Sequence, residues 1–202
     1  HLLLALPVPA APLSAEEARA IAADAYVYGF APVLREVRRV NTQGGTNRMT
    51  VFTGERMDHA TIFSGIPADI WYAEAYLDLA KEPVVFCLPD MAGRRFSCTV
   101  TDAYTTVIAT PGAPQAGAAI CFAVTGPGWK GEPPKGVTQI RSPTGRAWVT
   151  CRVRYEGDAD REALGALMPR FSLTPLSQFV KGKRLAPAQG GKGQPGHGAA
   201  LR

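Results

Sequence analysis

Tyr72, Glu74, Tyr76 and Asp78 fall at every second position of one segment, and Trp71, Ala73, Ala75, Leu77 and Leu79 fill the positions between and after them. Period two is the signature of a half-buried strand, so two phenols and two carboxylates share one face while the apolar set takes the other. Aromatic plates beside carboxylates suit sugar-like or other polyhydroxylated ligands, through stacking plus hydrogen bonding. Strand rise sets residues four apart at roughly 13 Å between Cα atoms. The Glu74 and Asp78 carboxyls therefore lie outside the usual glycosidase separations unless their side chains converge. The competing reading of this face is a plain solvated sheet surface.

A second polar face follows near the C-terminal end of the chain. Trp148, Thr150, Arg152 and Arg154 alternate with Val149, Cys151, Val153 and Tyr155. An Arg beside a Trp can anchor a carboxylate ligand; the alternative is a structural ion pair of Arg152 with Asp102 or Asp69, since a buried guanidinium needs a partner in either case. Trp129, within Gly126-Pro127-Gly128-Trp129-Lys130-Gly131, reads as a loop anchor plugged into the core or as an aromatic lid.

No nucleophile elbow, phosphate-binding Gly-rich loop, zinc-protease helix or calcium loop is present. The histidines are His1, His59 and His197. Only His59, next to Asp58, lies away from the chain ends, and a lone loop histidine points to no metal site. Cys87, Cys98, Cys121 and Cys151 lack the Cys-x-x-Cys spacing of a zinc site. Cys87 and Cys98 are equidistant from a turn near Ala92-Gly93, which would make them cross-strand neighbours; buried free thiols are the alternative. No metal and no cofactor is expected.

The elements that must position these residues begin with a capping box at Ser14–Glu17, which opens a helix running toward Gly29. Pro32 should kink or interrupt it before 33–39. Residues 41–65 read mostly as loop. Strands are expected over 70–79, 84–88, 95–101, 118–125, 137–141 and 146–155, with 84–88 and 95–101 forming a hairpin around Pro89–Gly93. A short helix should start at Asp158 and end at Pro169. The fold expected is α+β and mostly β: an antiparallel β-sandwich or jelly-roll-like sheet with an N-terminal helix and a short C-terminal helix.

A 202-residue chain with 46% hydrophobic and 19% charged residues suits one globular domain, here 13–179, and no apolar run has the length of a transmembrane segment. The formal charge of +5 does not argue for specific nucleic-acid binding. It resides wholly in 180–202, which holds Lys181, Lys183, Arg184, Lys192 and Arg202, no acid, six glycines and two prolines. That composition reads as a disordered basic tail. Residues 1–12 read as a signal-peptide remnant with Val8 and Ala10 at the cleavage positions, which places the protein in the periplasm or outside the cell.

Several short motifs occur together in order: Ala25-Tyr26-Val27-Tyr28-Gly29, Asp69-x-x-Tyr72 with Leu77-Asp78-Leu79, Glu82-Pro83-Val84, Pro89-Asp90-x-x-Gly93-Arg94, Asp102-Ala103-Tyr104, the Gly126–Gly131 loop, and Ser142-Pro143-Thr144 leading to Arg152. On these the chain resembles the domain-of-unknown-function family 1254 over roughly 25–179. It departs from that family at Ile66-Pro67, at Gly44-Gly45 and at Gly112–Gly117. The resemblance implies a companion domain, of family 1214, so the chain reads as a divergent single-domain or truncated member. It also groups Asp69, Tyr72 and Tyr104, to which Arg152 supplies the matching charge; with Trp129 these form the expected ligand-binding set. Two functional classes stay open. One is an exported module that binds a small polar or anionic ligand, or a partner, or a second copy through an exposed apolar face. The other is a carboxylate-dependent, hydrolase-like enzyme; a truncated fragment without function is the remaining alternative.

Overall fold

Ten strands form two sheets that enclose one core, and the alternation read at 70–79 is the central feature of the larger sheet. The computed structural model describes residues 13–41, 45–53, 67, 69–112, 119–183 and 188–189. The strands are β1 (Thr50–Thr53), β2 (Ile70–Asp78), β3 (Val84–Leu88), β4 (Phe96–Asp102), β5 (Val107–Ala109), β6 (Ile120–Thr125), β7 (Val137–Arg141), β8 (Arg146–Arg154), β9 (Ser172–Pro175) and β10 (Ala188–Gln189). The first sheet has the order β10-β1-β2-β8-β4-β5 and the second the order β7-β6-β3-β9. Both are mixed, because β1–β10 and β6–β7 pair in parallel while their other pairings are antiparallel. The fold is α+β and mostly β, as the alternating segments require.

The core lies between the sheets. Trp71, Ala73, Ala75 and Leu77 of β2 meet Val149, Cys151 and Val153 of β8, and Val84, Phe86 and Leu88 of β3 close the layer from the other side. Burying such side chains stabilises by about 1.5–3 kcal/mol each. A one-residue slip of β2 would expose its whole apolar set, which fixes the register. The register puts Tyr72 opposite Arg152, Glu74 opposite Thr150, Tyr76 opposite Trp148 and Asp78 opposite Arg146, all on the outer face.

Helix α1 (Ala15–Asn41) opens with the capping box: the Glu17 amide donates to Ser14 Oγ (3.2 Å), and the Ser14 amide donates to the Glu17 carboxylate (2.9 Å). The Ser14 hydroxyl also donates to the Glu17 carboxylate (2.7 Å), and this bond with that from the Ser14 amide holds the carboxyl below its usual range. The helix runs unbroken through Pro32, contrary to the expected interruption. Proline removes one helical bond, and the turns on either side carry the helix across it. None of its residues is buried, and Ile21, Tyr26, Val27, Phe30, Val33, Leu34 and Val40 are exposed. Its contacts to the strands run through a stripe of i, i+4, i+7 and i+11 spacing, namely Tyr28, Pro32, Arg35 and Arg39.

Three further expectations are corrected. β3 and β4 are not a hairpin, since they lie in different sheets and 89–95 crosses between them. Cys87 and Cys98 are therefore not partners, nor are the thiols free. Cys87 is bonded to Cys121 across β3–β6, and Cys98 to Cys151 across β4–β8, each pair at register positions. Within 41–65, β1 and a bridge from Thr46 to Tyr76 replace the expected loop where the chain is described. β5, β9 and β10 were also not anticipated. Near the C-terminal end, α2 (Arg161–Leu167) lies between single 3-10 turns at 158–160 and 168–170, and α3 (Leu176–Phe179) follows β9. The segment 1–12 expected as a signal remnant, Asp58, the three histidines and most of the expected basic tail lie outside the described residues.

Candidate functional site

The outer face of the first sheet carries two aromatic stacks with a carboxyl between them. Tyr72 stacks on Phe52 with ring centroids 5.0 Å apart, and Tyr76 stacks on Trp148 at 5.4 Å and 5° between planes. Glu74 lies between Tyr72 and Tyr76 along β2, with Thr50 and Thr150 as its register neighbours on either side. Strand geometry explains the layout: residues two apart on β2 share a face, and their partners on β1 and β8 continue each row sideways.

Helix α1 covers one end of this face. The Arg35 guanidinium lies 3.6 Å from the Trp148 ring centroid, a cation–π contact, and its Nη2 is 3.5 Å from Thr101 Oγ1. Arg39 donates to Thr46 Oγ1 (2.8 Å), and the Tyr104 hydroxyl donates to that of Tyr28 (2.8 Å). Between helix and sheet is a cavity of about 60 Å³, lined among others by Arg35, Arg39, Tyr76, Asp102, Arg146 and Trp148. By the measure of about 15 Å³ per water, it holds roughly four waters or a small anion.

Three buried polar atoms on this face lack a hydrogen-bond partner: Arg35 Nη1, Trp148 Nε1 and Thr50 Oγ1. A buried unsatisfied donor costs about 1–3 kcal/mol, and more when charged, so each is a position where a ligand atom or water would be stabilised. Trp71 Nε1 is also unpartnered, but Trp71 belongs to the core side of β2.

The electrostatics are lopsided. Burial pulls the Arg35 guanidinium down to about 10, against the pull of Tyr76, Glu74 and Asp102. Burial pushes the Glu74 carboxyl up to about 7, opposed by Arg152, Arg38 and Arg35. Three guanidiniums thus act on one carboxyl through their charge, yet among the described residues none lies within ion-pair distance of it. Asp78 behaves differently. It pairs with Arg146 and accepts from the Ala80 amide, and together these contacts hold its carboxyl below the usual range despite partial burial. The two carboxylates on the β2 face are thus not an interacting pair. No group of three or more metal-ligating side chains occurs among the described residues.

The family model of the protein of unknown function DUF1254 matches residues 46–175. The chain belongs to the DUF1254 family. Among solved structures, the VPA0106 protein from Vibrio parahaemolyticus superposes with a TM-score of 0.63 at 21% identity, over 84% of this chain and 41% of that one. At that identity the likeness establishes the fold alone. A protein from Burkholderia cenocepacia described as uncharacterized gives a TM-score of 0.38 at 12% identity, over 66% of this chain and 36% of that one. The DUF1254 chain thus spans less than half the length of either. No curated protein matches it.

Of the residues expected to form the site, Tyr72 and Arg152 come together: they are register partners, with the Arg152 guanidinium 5.8 Å from the Tyr72 ring centroid. Burial raises the Tyr72 phenol, while Arg152 lowers it by charge and a hydrogen bond. Asp69 is close by, but it faces Arg154 at 3.8 Å, and that pair is exposed. Arg152 makes no ion pair with Asp69 or Asp102, contrary to the expectation, and it is exposed. Asp102 instead accepts from the amides of Tyr104 and Thr106, both at 2.9 Å, and shapes the turn that presents Tyr104 toward α1. Tyr104 therefore stands at the α1 end of the face and Asp69 at the other, since Thr101 is paired with Trp148 and Ile70 with Arg154.

Trp129 is in the β6–β7 loop of the second sheet and takes no part in the cavity. Its ring lies against Gly131, where an added Cβ would come within 2.7 Å of it. Gly126, in the same DUF1254 motif, lies so near Leu79 that a Cβ would meet its carbonyl oxygen at 3.0 Å. That motif closes the end of the core. Glu82 of the Glu-Pro-Val motif is structural too: its carboxylate accepts from the amide and hydroxyl of Ser177 at the start of α3. The sequence reading missed Arg35 and Thr50. The signal available for Arg35 was the Tyr28-Pro32-Arg35-Arg39 spacing, which puts two guanidiniums on one helix face.

Proposed function

We propose that this DUF1254 domain is a binding module for a small anionic ligand, seated on the outer face of the six-stranded sheet under α1. The observation that carries the reading is the pair of buried donors without partners, Arg35 Nη1 and Trp148 Nε1, beside a cavity that both residues line. Unpartnered donors on residues that line a partly open space, where Arg35, Arg39 and Arg146 outnumber Glu36 and Asp102, suit a carboxylate or another oxyanion. The adjoining aromatic stacks suit a flat or sugar-like body attached to it. Tyr72 and Arg152 extend the face, with Asp69 at its rim and Tyr104 at the helix end.

A hydrolase-like enzyme is the weaker reading. Among the described residues Glu74 alone has the raised carboxyl expected of an acid or base, and its nearest strand companion Asp78 is committed to Arg146. The two cross-strand disulfides support an oxidising compartment, in keeping with the periplasmic or secreted location expected from the sequence.

The test is titration calorimetry with acetate, succinate and sulfate, with glucose as the neutral comparison. The anions should bind, and glucose should not bind better than they do. Trp148→Phe keeps the ring and removes the donor, and should weaken anion binding about tenfold, the worth of one hydrogen bond to a charged group. Unchanged affinity in that variant would place the ligand elsewhere.

A further inference from the structure

Glu74 is the one acid that faces the centre of this cationic face without an ion pair, which raises the question of what its proton does to a bound anion. Resting on the binding reading above, we propose that Glu74 is a proton-controlled competitor of the ligand. Ionised, it takes up part of the field of Arg35, the guanidinium it shares with the cavity; protonated, it leaves that field to the ligand's oxyanion.

The geometry carries this. Glu74 is at the middle of β2, flanked on its own strand by Tyr72 and Tyr76. β1 presents Thr50 beside it, and β8 presents Thr150 directly opposite and Arg152 one step along. β4 adds Thr99, in register with Thr150. From α1 the charges acting on it are those of Arg35 and Arg38. Asp69 and Asp102 sit at the two ends of the face, the first against Arg154 and the second on backbone amides. Glu74 is therefore the only carboxyl among the described residues that is both central to the three guanidiniums and uncommitted. Thr50 Oγ1, its unpartnered neighbour, offers no opposing charge.

Glu74 does not itself line the cavity, whose own acids are Glu36, bonded to Arg39, and Asp102, bonded to backbone amides. An anion there and an ionised Glu74 share the Arg35 guanidinium and repel each other, and in a partly buried site that repulsion is only weakly screened. By linkage, a bound anion must then favour protonation of Glu74, and protonation must favour the anion by the same factor. The burial that pushes the carboxyl up to about 7 puts this exchange near neutral pH. No bond to the ligand forms or breaks; one proton moves between solvent and the Glu74 carboxyl.

The experiment is calorimetric titration of the full chain with sulfate, which keeps its charge throughout, from pH 5.5 to 8.5 in buffers of different ionisation enthalpy. The Kd for sulfate should rise at least about fivefold across this range, never more steeply than about tenfold per pH unit, with uptake of up to one proton near pH 7. Glu74→Gln should bind sulfate at least as tightly as the unaltered protein at pH 5.5 and show no such rise. Sulfate binding that is flat with pH would overturn the coupling while leaving the anion site intact. A pH dependence that survives in Glu74→Gln would overturn it too, by assigning the proton to another group. Failure of sulfate, acetate and succinate to bind at any pH would overturn the site reading and this coupling with it.

Discussion

Replacing Glu74 with glutamine keeps the shape of the side chain and removes its titration, so it isolates what burial of this carboxyl contributes to stability. In the folded chain the group is raised from 4.5 to about 7. A raised folded value means that the folded state holds the proton more tightly than the unfolded one. The stability it contributes is fully present below pH 4.5 and is lost as pH rises through about 7. Every tenfold gain in proton affinity on folding is worth about 1.4 kcal/mol. The whole effect is therefore about 3 kcal/mol, of which about 2.5 kcal/mol falls between pH 5 and 8. Urea melts of both proteins at pH 5, 6, 7 and 8 in a buffer without small anions would measure it. The difference in unfolding free energy should swing by about 2.5 kcal/mol in favour of Glu74→Gln as pH rises, with similar m-values. Curves that stay parallel would mean that Glu74 is already ionised and paired at pH 5, which would refute the account of an uncommitted central carboxyl.

Other consequences follow from the same geometry. Arg152→Ala should lower stability by at most about 1 kcal/mol in denaturant melts, because Arg152 is exposed, while weakening succinate binding; a loss of about 3 kcal/mol or more would mean a buried pair. Reducing the two disulfides, which close sequence separations of 34 and 53 residues, should cost about 4 kcal/mol each on the chain-entropy scale and lower the melting temperature in dithiothreitol. The exposed apolar residues of α1 predict concentration-dependent association by light scattering, relieved by Val27→Glu with Leu34→Glu. A strictly monomeric chain at high concentration would count against that face as an interface.

Alternation in the sequence located β2 and β8 and the face each turns to the core, but not that Tyr72, Tyr76 and Thr150 on the opposite face are buried as well, so the half-buried strand expected at β2 is covered on both sides. The pairing of Tyr72 with Arg152 was expected from the family resemblance and the matching charge of Arg152, not from alternation. The β3–β4 hairpin failed because Pro89–Gly93 has turn chemistry whether the chain folds back onto the same sheet or crosses to the other. A signal for the crossing was present: Val84-Val85-Phe86-Cys87-Leu88 is apolar without interruption, as befits a strand covered on both sides, whereas β4 carries polar residues between apolar ones. The disulfide partners were not legible, because Cys121 and Cys151 reach Cys87 and Cys98 only through the sheet order. Arg35 was hidden for a related reason. A guanidinium on a helix declares its role only once Trp148 is seen beneath it, and the pairing spans the chain.

The central claim is that a small anion sits against Arg35 and Trp148, and the three tryptophans make it directly observable. In a nitrogen–proton correlation spectrum each indole N–H gives its own peak, and those of Trp71, Trp129 and Trp148 can be assigned by single replacement with phenylalanine. Titration with acetate should move the Trp148 peak saturably and downfield, as expected for a donor gaining an acceptor, and leave Trp129, on the other sheet, in place. A Trp148 peak that stays fixed while acetate binds would contradict the account.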